Sequence, residues 1–371
     1  MTSVLILGAG KIGRMITAFL SRTEDYQVQV ADVDATQANS LGQRFGVPAH
    51  TIDASSGDEL RSVMTDTDIV ISALSYRFNP LIAQVALETG TSYFDLTEDV
   101  ETTRAVRKVS ESAGDGQVFM PQCGLAPGFV SIVANHLTDG FDTLDTVYMR
   151  VGALPQFPSN ALKYNLTWST DGLINEYCNP CDCIHEGRRI EVLPMEGLEH
   201  FSLDGVRYEA FNTSGGLGTL CETLDGQARE LNYKTIRYLG HRDLMTLLVN
   251  DLRLSQRRDL LKDILETAIP VTYQDVVVVF CTVSGQRDGQ LTQLTDARRI
   301  YHEKLDGEHW GAIQITTAAA VCAVVDLFVQ SKLPGTGFVK QEQVRLEDFI
   351  ANRFGQYYDT SGNTGLARQI S

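Results

Sequence analysis

The chain has 371 residues, 43% of them apolar and 21% charged, which excludes a disordered or collagen-like polymer and suits two globular domains. It carries 31 Lys+Arg against 47 Asp+Glu, a formal charge of −16, so the basic face of a nucleic-acid binder is not expected. No apolar run is read as a membrane span, no secretory signal is read at the start, and the seven scattered cysteines are expected to be reduced thiols in the cytoplasm.

The chain opens on a strand of buried type, Val4 to Leu7, followed at once by Gly8-Ala9-Gly10-Lys11-Ile12-Gly13 and an apolar-periodic helix through Met15, Ile16, Phe19 and Leu20. A second strand, Val28 to Ala31, ends in Asp32. GxGxxG between strand and helix, with an acid about 20 residues on, is the dinucleotide-binding pattern. Gly8 permits the tight turn, Gly10 lets backbone amides approach a diphosphate, and Gly13 lets helix and strand pack closely. Asp32 suits the ribose hydroxyls and repels a 2′-phosphate, so NAD is the expected cofactor.

Strands and helices then alternate. Strands are expected at 51–53, 68–74, 92–96 and 117–120, with helices at 60–64, 80–87 and 102–113. This is the pattern of a doubly wound parallel sheet, an α/β Rossmann domain over residues 1–125. Ligands bind beyond the carboxyl ends of such strands. That rule adds Lys11, Ile12, Asp53, Ala73, Leu74, Asp95, Leu96 and Gly124 to the cofactor candidates; Asp53 could instead cap a helix.

After residue 129 the pattern becomes hairpins. Asp145 to Ala153 reads as a strand, and turns are expected at Glu186-Gly187, Asp204-Gly205 and Asp288-Gly289. A second α+β domain with a mixed sheet is expected over 126–312, with helices at 241–252 and 255–268. An apolar helix from Ile313 to Leu327 opens a C-terminal part, 313–371, expected to return to the first domain. From about Thr360 the chain is Gly/Ser/Asn-rich and is expected to fray.

Cys178-Asn179-Pro180-Cys181-Asp182-Cys183-Ile184-His185 has zinc-like spacing. Alternation of Cys181, Cys183 and His185 with a following Glu186-Gly187 turn equally describes one face of a hairpin, and no metal is expected. Cys123 is read as a small buried residue.

Gly8-x-Gly10-x-x-Gly13, Tyr93-Phe94-Asp95-Leu96 and Gly124-Leu125-Ala126-Pro127-Gly128 together resemble the saccharopine dehydrogenase family. Leu162-Lys163-Tyr164, the segment Asp171-Gly172-Leu173-Ile174-Asn175-Glu176-Tyr177, Ser214 to Leu220, and Lys234-Thr235-Ile236-Arg237-Tyr238 through Gly240-His241 look closer to its lysine 6-dehydrogenase branch. The resemblance implies C–N bond oxidation with a nicotinamide cofactor, a small amino-acid substrate, and a homodimer or higher homo-oligomer. The lysine branch would oxidise the ε-amino carbon of L-lysine to the 6-semialdehyde, which cyclises to a piperideine carboxylate. Saccharopine chemistry and a non-catalytic NAD-binding role are the alternatives.

Such chemistry needs a carboxylate clamp, a partner for the cationic amine and a base. Arg237 is the expected clamp, since guanidinium pairs bidentately with carboxylate. Asp171 and Glu176 are candidates for the cationic end, Asn175 and Tyr164 for orientation, and Thr219 with its glycine-rich neighbours for anion contact. Lys163 and His241 are the candidate general bases. The remaining histidines read as structural.

Overall fold

The computed structural model describes residues 1–360, so the expected fraying of the tail falls outside the described residues. Six strands build the first sheet: β1 (Thr2–Leu7), β2 (Tyr26–Asp32), β3 (Ala49–Thr51), β4 (Ile69–Ser72), β5 (Ser92–Asp95) and β6 (Val118–Met120). All pair in parallel in the order β6-β5-β4-β1-β2-β3. Their short runs of Val, Ile and Phe are buried on both faces, as a sheet covered by helices on each side requires. The strand order reverses between β1 and β4, and the crevice beyond their carboxyl ends is where such folds bind ligands.

The second sheet is formed by β7 (Thr143–Pro155), β8 (Cys181–His185), β9 (Arg188–Val192), β10 (Glu199–Leu203), β11 (Val206–Asn212), β12 (Ala228–Tyr238), β13 (Asp275–Arg287) and β14 (Gln290–Tyr301). Its spine runs β10-β11-β12-β7-β13-β14, with β8 and β9 attached at β12. The sheet is mixed: β12 and β7 are parallel, while the hairpins are antiparallel. Each expected turn dipeptide has positive φ at both residues: Glu186 and Gly187 (48° and 73°), Asp204 and Gly205 (48° and 79°), Asp288 and Gly289 (52° and 71°). That is the two-residue geometry that matches strand twist. The cysteine-rich stretch is therefore the first strand of a hairpin, with Cys183 opposite Ile190. Among the described residues no group of three or more His, Cys, Asp or Glu gathers as a metal would need.

Two short strands, β15 (Glu303–Leu305) and β16 (Glu308–Trp310), lead into the helix Ala312–Val329. The Asp275 carboxylate, at the start of β13, accepts from the amides of Ala312 (2.6 Å) and Ile313 (3.1 Å) and fixes the start of this helix. At 18 residues and mean hydropathy 2.0 the helix is long and apolar enough to cross a bilayer, which corrects the expectation that no run reaches that length. It is instead packed inside the protein against the helix Lys11–Leu20. Its one acid, Asp326, accepts from Tyr26 Oη (2.6 Å) and Asn352 Nδ2 (2.7 Å). The chain then adds β17 (Gly337–Phe338) parallel to β6, so the C-terminal part extends the first sheet at its edge.

Some elements differ from the sequence reading. The helix at 241 runs as His241–Thr246 and widens into a π-helical turn over Leu247–Asp251, and the next begins at Arg258. Helices at Ala35–Phe45 and Phe129–Thr138 were not expected. Ser56, not Asp53, caps the helix Gly57–Met64, and Ser169 caps Thr170–Cys178.

Candidate active site

The site grows from the carboxyl ends of β1, β4 and β5. Gly8 holds φ +107°, and a Cβ there would lie 3.0 Å from the Ala73 carbonyl oxygen. A Cβ on Gly13 would lie 1.8 Å from the Gly8 carbonyl oxygen, so only glycine lets the helix Lys11–Leu20 sit this close. Around Gly10 a Cβ would meet nothing within 4 Å. No side chain caps that helix start, so its first amides remain available for an anion. The turn is thus tight where backbone meets backbone and open where a diphosphate would lie, and the residues fit a dinucleotide. Asp32 braces it: Oδ2 accepts from the Ala9 amide (2.7 Å) and Oδ1 from the Asp34 amide (2.9 Å).

A cleft continues from this turn to the second sheet. Ile12, Ala73, Leu74, Leu96 and Gly124 line it from the first domain. β7 supplies Val151 and Ala153, β12 supplies Tyr233, Thr235 and Arg237, and the helix Thr170–Cys178 supplies Asp171 and Glu176.

Arg237 is 3% exposed and fully engaged on one side. Its Nη1 donates to Thr235 Oγ1 (2.6 Å) and to the Ile236 carbonyl (2.9 Å), and its Nε donates to Tyr177 Oη (2.8 Å). The guanidinium carbon stands 5.0 Å from the centre of the Tyr164 ring, a cation–π contact. Nη2 is left for the cleft, with Glu176 Oε2 at 3.5 Å. That oxygen is buried and has no hydrogen-bond partner. Burial pushes the Glu176 carboxyl up to about 7; the Arg237 charge pulls against this and the Glu98 carboxylate adds to it.

Glu98 also lines the cleft. Its carboxyl is likewise raised to about 7, chiefly by burial, with its own backbone amide and Asn175 opposing and the charges of Asp99 and Asp95 adding. Sequence reasoning missed this residue, although it stands just past the end of β5, where the strand-end rule places ligand contacts. It also missed Tyr177, Tyr233 and Trp168, whose roles depend on the second domain.

Several expected site residues lie elsewhere. His241 is 1% exposed, and both ring nitrogens are occupied. Its Nδ1 lies 2.8 Å from the Leu162 carbonyl, which can only accept, so Nδ1 carries the proton and Nε2 accepts from Tyr177 Oη at 2.9 Å. Burial and then the Arg237 charge lower its pKa to about 3. It holds Tyr177, and through it Arg237, and does not act as the base. Lys163 is exposed, with φ +52°, and its ammonium donates to the Leu239 carbonyl (2.9 Å) outside the cleft. The Thr219 hydroxyl is buried 2.9 Å from both oxygens of Glu342, tying the second domain to the C-terminal part rather than facing the cleft.

Asp95, the last residue of β5, is fully buried; it accepts from Tyr93 Oη (2.6 Å) and from the amides of Thr97 and Gln122 (2.9 Å each), so it shapes the loops without facing a cofactor. Asn175 turns its carbonyl oxygen to Arg258 (3.0 Å), and its buried Nδ2 is the group that faces Glu98. Asp171 stays at the cleft, paired with Lys262 at 2.7 Å. Asp53 is exposed after β3 and accepts from Ser55. Lys11 is exposed at the helix start, beside Glu266. Tyr164 packs under Arg237, its hydroxyl accepting from Trp168 Nε1 (3.1 Å).

Comparison with known proteins agrees with this architecture. Residues 4–120 match the family model described as the saccharopine dehydrogenase NADP binding domain, and residues 124–356 the one described as the saccharopine dehydrogenase C-terminal domain. The chain is 28% identical over 209 residues to a Saccharomyces cerevisiae saccharopine dehydrogenase (NADP(+), L-glutamate-forming), covering 53% of this chain and 45% of that protein. It is 24% identical over 222 residues to the mitochondrial alpha-aminoadipic semialdehyde synthase of Rattus norvegicus, covering 54% of this chain and 23% of that one. The matches thus span less than half the length of either relative. The apo structure of the yeast saccharopine dehydrogenase (L-Glu forming) superposes with a TM-score of 0.78 at 19% identity, over 94% of this chain and 96% of that chain, which shows a common fold. On the two family matches, which together take in nearly the whole described chain, the protein belongs to the saccharopine dehydrogenase family.

Proposed function

We propose that the protein is an NAD-dependent amino-acid dehydrogenase that oxidises a C–N bond, with L-lysine as substrate and its ε-carbon as the reacting centre. One observation carries the choice of substrate: among the described residues the charged side chains lining the cleft are Glu98, Glu176 and Asp171, the last already paired with Lys262, against the cation Arg237. L-Lysine brings one carboxylate for Arg237 and ammonium groups for the acids. Saccharopine brings three carboxylates, two of which would meet acids in place of a guanidinium. The names of the relatives favour saccharopine as the second reading.

Arg237 offers Nη2 to the substrate carboxylate, and the Tyr177–His241 chain keeps the guanidinium from rotating away. The acidic wall receives the ammonium groups, and the apolar strip of Leu96, Leu125 and Val151 excludes water. A nicotinamide dinucleotide held by its diphosphate at the glycine turn would supply the hydride acceptor. Gly8, Gly10, Gly13 and the first amides of the helix would hold its diphosphate, with Asp32 at the ribose. NAD is preferred in this reading because Asp32 and Asp34 both stand at the end of β2, where a 2′-phosphate would be repelled. The family model and the yeast relative are named for NADP, so cofactor preference is part of the test.

The test is absorbance at 340 nm with purified protein, offering NAD or NADP with L-lysine or saccharopine and no 2-oxoglutarate. Reduction of NAD by lysine, with trapping of the cyclised product, is the expected result. Reduction only with saccharopine would replace lysine with the second reading, and silence with both would remove the proposal.

A further inference from the structure

We propose that Glu98 and Glu176 hold a single proton between them across the cleft, and that Glu98 takes the proton of the substrate's reacting ammonium. The inference rests on the amine-oxidising reading above, and it names the proton acceptor that Lys163 and His241 cannot be.

The geometry comes from two domains. Glu98 follows the carboxyl end of β5, on the side where the glycine turn opens, and the second domain walls it in. A Cβ on Gly172 would lie 3.3 Å from Glu98 Oε1, and a Cβ on Gly215 would lie 3.0 Å from Glu98 Cβ. Both positions are glycine, so the carboxyl is seated against the helix that carries Glu176. Glu176 is 8% exposed; its Oε2 accepts no hydrogen bond and has the Arg237 guanidinium at 3.5 Å. A buried carboxylate oxygen in a cleft wall that accepts no hydrogen bond has room for a proton. Two carboxyls in one desolvated cleft cannot both ionise cheaply, so one stays protonated.

The surroundings favour Glu98 as the active member. Facing Glu176 are Arg237 on β12 and the hydroxyls of Tyr164, Tyr177 and Tyr233. Cys181 also lies near it. Facing Glu98 are the carboxylates of Asp95 and Asp99 on its own segment, the Asn175 amide and Glu176. Glu176 has a fixed cation beside it at 3.5 Å, while the charged neighbours of Glu98 are all acids. A substrate ammonium is thus the missing counter-charge at Glu98, and its arrival releases the proton of the pair from Glu98 to solvent and leaves that carboxylate ionised. Both carboxyls are raised to about 7, so the pair exchanges a proton near neutral pH.

The step balances as a proton transfer. The N–H bond of the substrate's ε-ammonium breaks, an O–H bond forms on the ionised Glu98, and the freed nitrogen lone pair can assist loss of hydride from the adjacent carbon to an oxidised nicotinamide dinucleotide, which would be the two-electron acceptor. Water adds to the carbon of the resulting imine, the C–N bond breaks, ammonia leaves and the aldehyde remains, and the proton leaves from the pair to solvent.

The experiment uses the full chain and two variants, Glu98→Gln and Glu176→Gln. Infrared difference spectra across neutral pH, without any substrate, read the carbonyl band of a protonated carboxyl. Wild type should show a band that titrates near neutral pH and is lost or shifted in each variant; a wild-type spectrum without such a band overturns the shared proton even in a protein that turns over. In kinetics, Glu98→Gln should lower kcat by about 100-fold or more and abolish the acidic limb of the kcat/KM profile, with NADH affinity retained. Glu176→Gln should move that limb to lower pH, because a neighbouring negative charge is removed. A Glu98→Gln enzyme within about threefold of wild type, with its acidic limb intact, would remove Glu98 as proton acceptor. If wild type oxidises neither lysine nor saccharopine, the functional reading fails while the infrared result still decides the pair.

Discussion

The buried histidine gives a stability signature that can be worked out in advance. His241 titrates at about 3 in the folded chain against 6.5 as a free side chain. Between those values the unfolded chain binds a proton at this position and the folded chain does not, so stability is fully present above pH 6.5 and is lost as pH falls toward 3. At pH 5 the loss from this single group is about 2 kcal/mol, against about 0.2 kcal/mol at pH 7. The wild-type profile alone would hide it. Glu98 and Glu176, both raised to about 7 from 4.5, work the opposite way and gain stability as pH falls through that interval. The comparison must therefore be with His241→Asn, which keeps a donor toward Leu162 but does not titrate. At pH 7 the variant should be less stable by about 1–3 kcal/mol, since the Tyr177 hydroxyl loses its acceptor. At pH 5 that gap should shrink by about 2 kcal/mol, because only wild type carries the histidine term. Urea unfolding of both proteins at the two pH values, with equal denaturant slopes, measures it. A gap constant to within about 0.5 kcal/mol would refute a dry, neutral His241 and the hydrogen-bond chain that fixes Arg237.

The two glycines of the turn should separate cleanly. Gly10→Ala should leave thermal stability unchanged and weaken NADH binding about tenfold or more, as read by cofactor fluorescence, since its Cβ enters only open space. Gly13→Ala should lower both, because its Cβ falls 1.8 Å from the Gly8 carbonyl oxygen; a stable Gly13→Ala protein would contradict the helix placement. Asp32→Ala should raise the NADP-to-NAD ratio of kcat/KM about tenfold or more, and an unchanged ratio would take Asp32 away from the ribose. Thr219→Val should cost about 1.5–3 kcal/mol in urea unfolding, the worth of a hydrogen bond to a charged acceptor, with KM for lysine unmoved; a raised KM would return Thr219 to the substrate site.

Much of the fold was legible because its signals are local. The glycine fingerprint sits between a strand and a helix, and the Glu-Gly and Asp-Gly turns adopt positive φ because their residue types tolerate it. The misses came where tertiary context decides. Ala312–Val329 has the composition of a membrane span, and only its packing against the helix Lys11–Leu20 and the satisfied Asp326 make it a core helix. Phe129–Thr138 reads as an undirected apolar run, buried nearly all round, so no period betrays it.

The site was legible in part, and the division has a physical cause. Arg237 and Glu176 could be singled out by residue type and by resemblance, because a guanidinium and a carboxylate keep their chemistry wherever they lie. Lys163 sits between Leu162 and Tyr164, both tied to the site, yet one residue of offset with φ +52° sends its side chain to the Leu239 carbonyl. His241 has the residue type of a base, but whether it can take a proton is set by burial and by Arg237, neither of which is written near it in the chain. Glu98 shows the converse. It stands in a loop three residues past β5, with nothing local to mark it, and Gly172 and Gly215 of the second domain are what close over it. Reactivity in this cleft is therefore a property of the contact between domains, and substitutions at those two glycines should disturb proton transfer by pressing on Glu98.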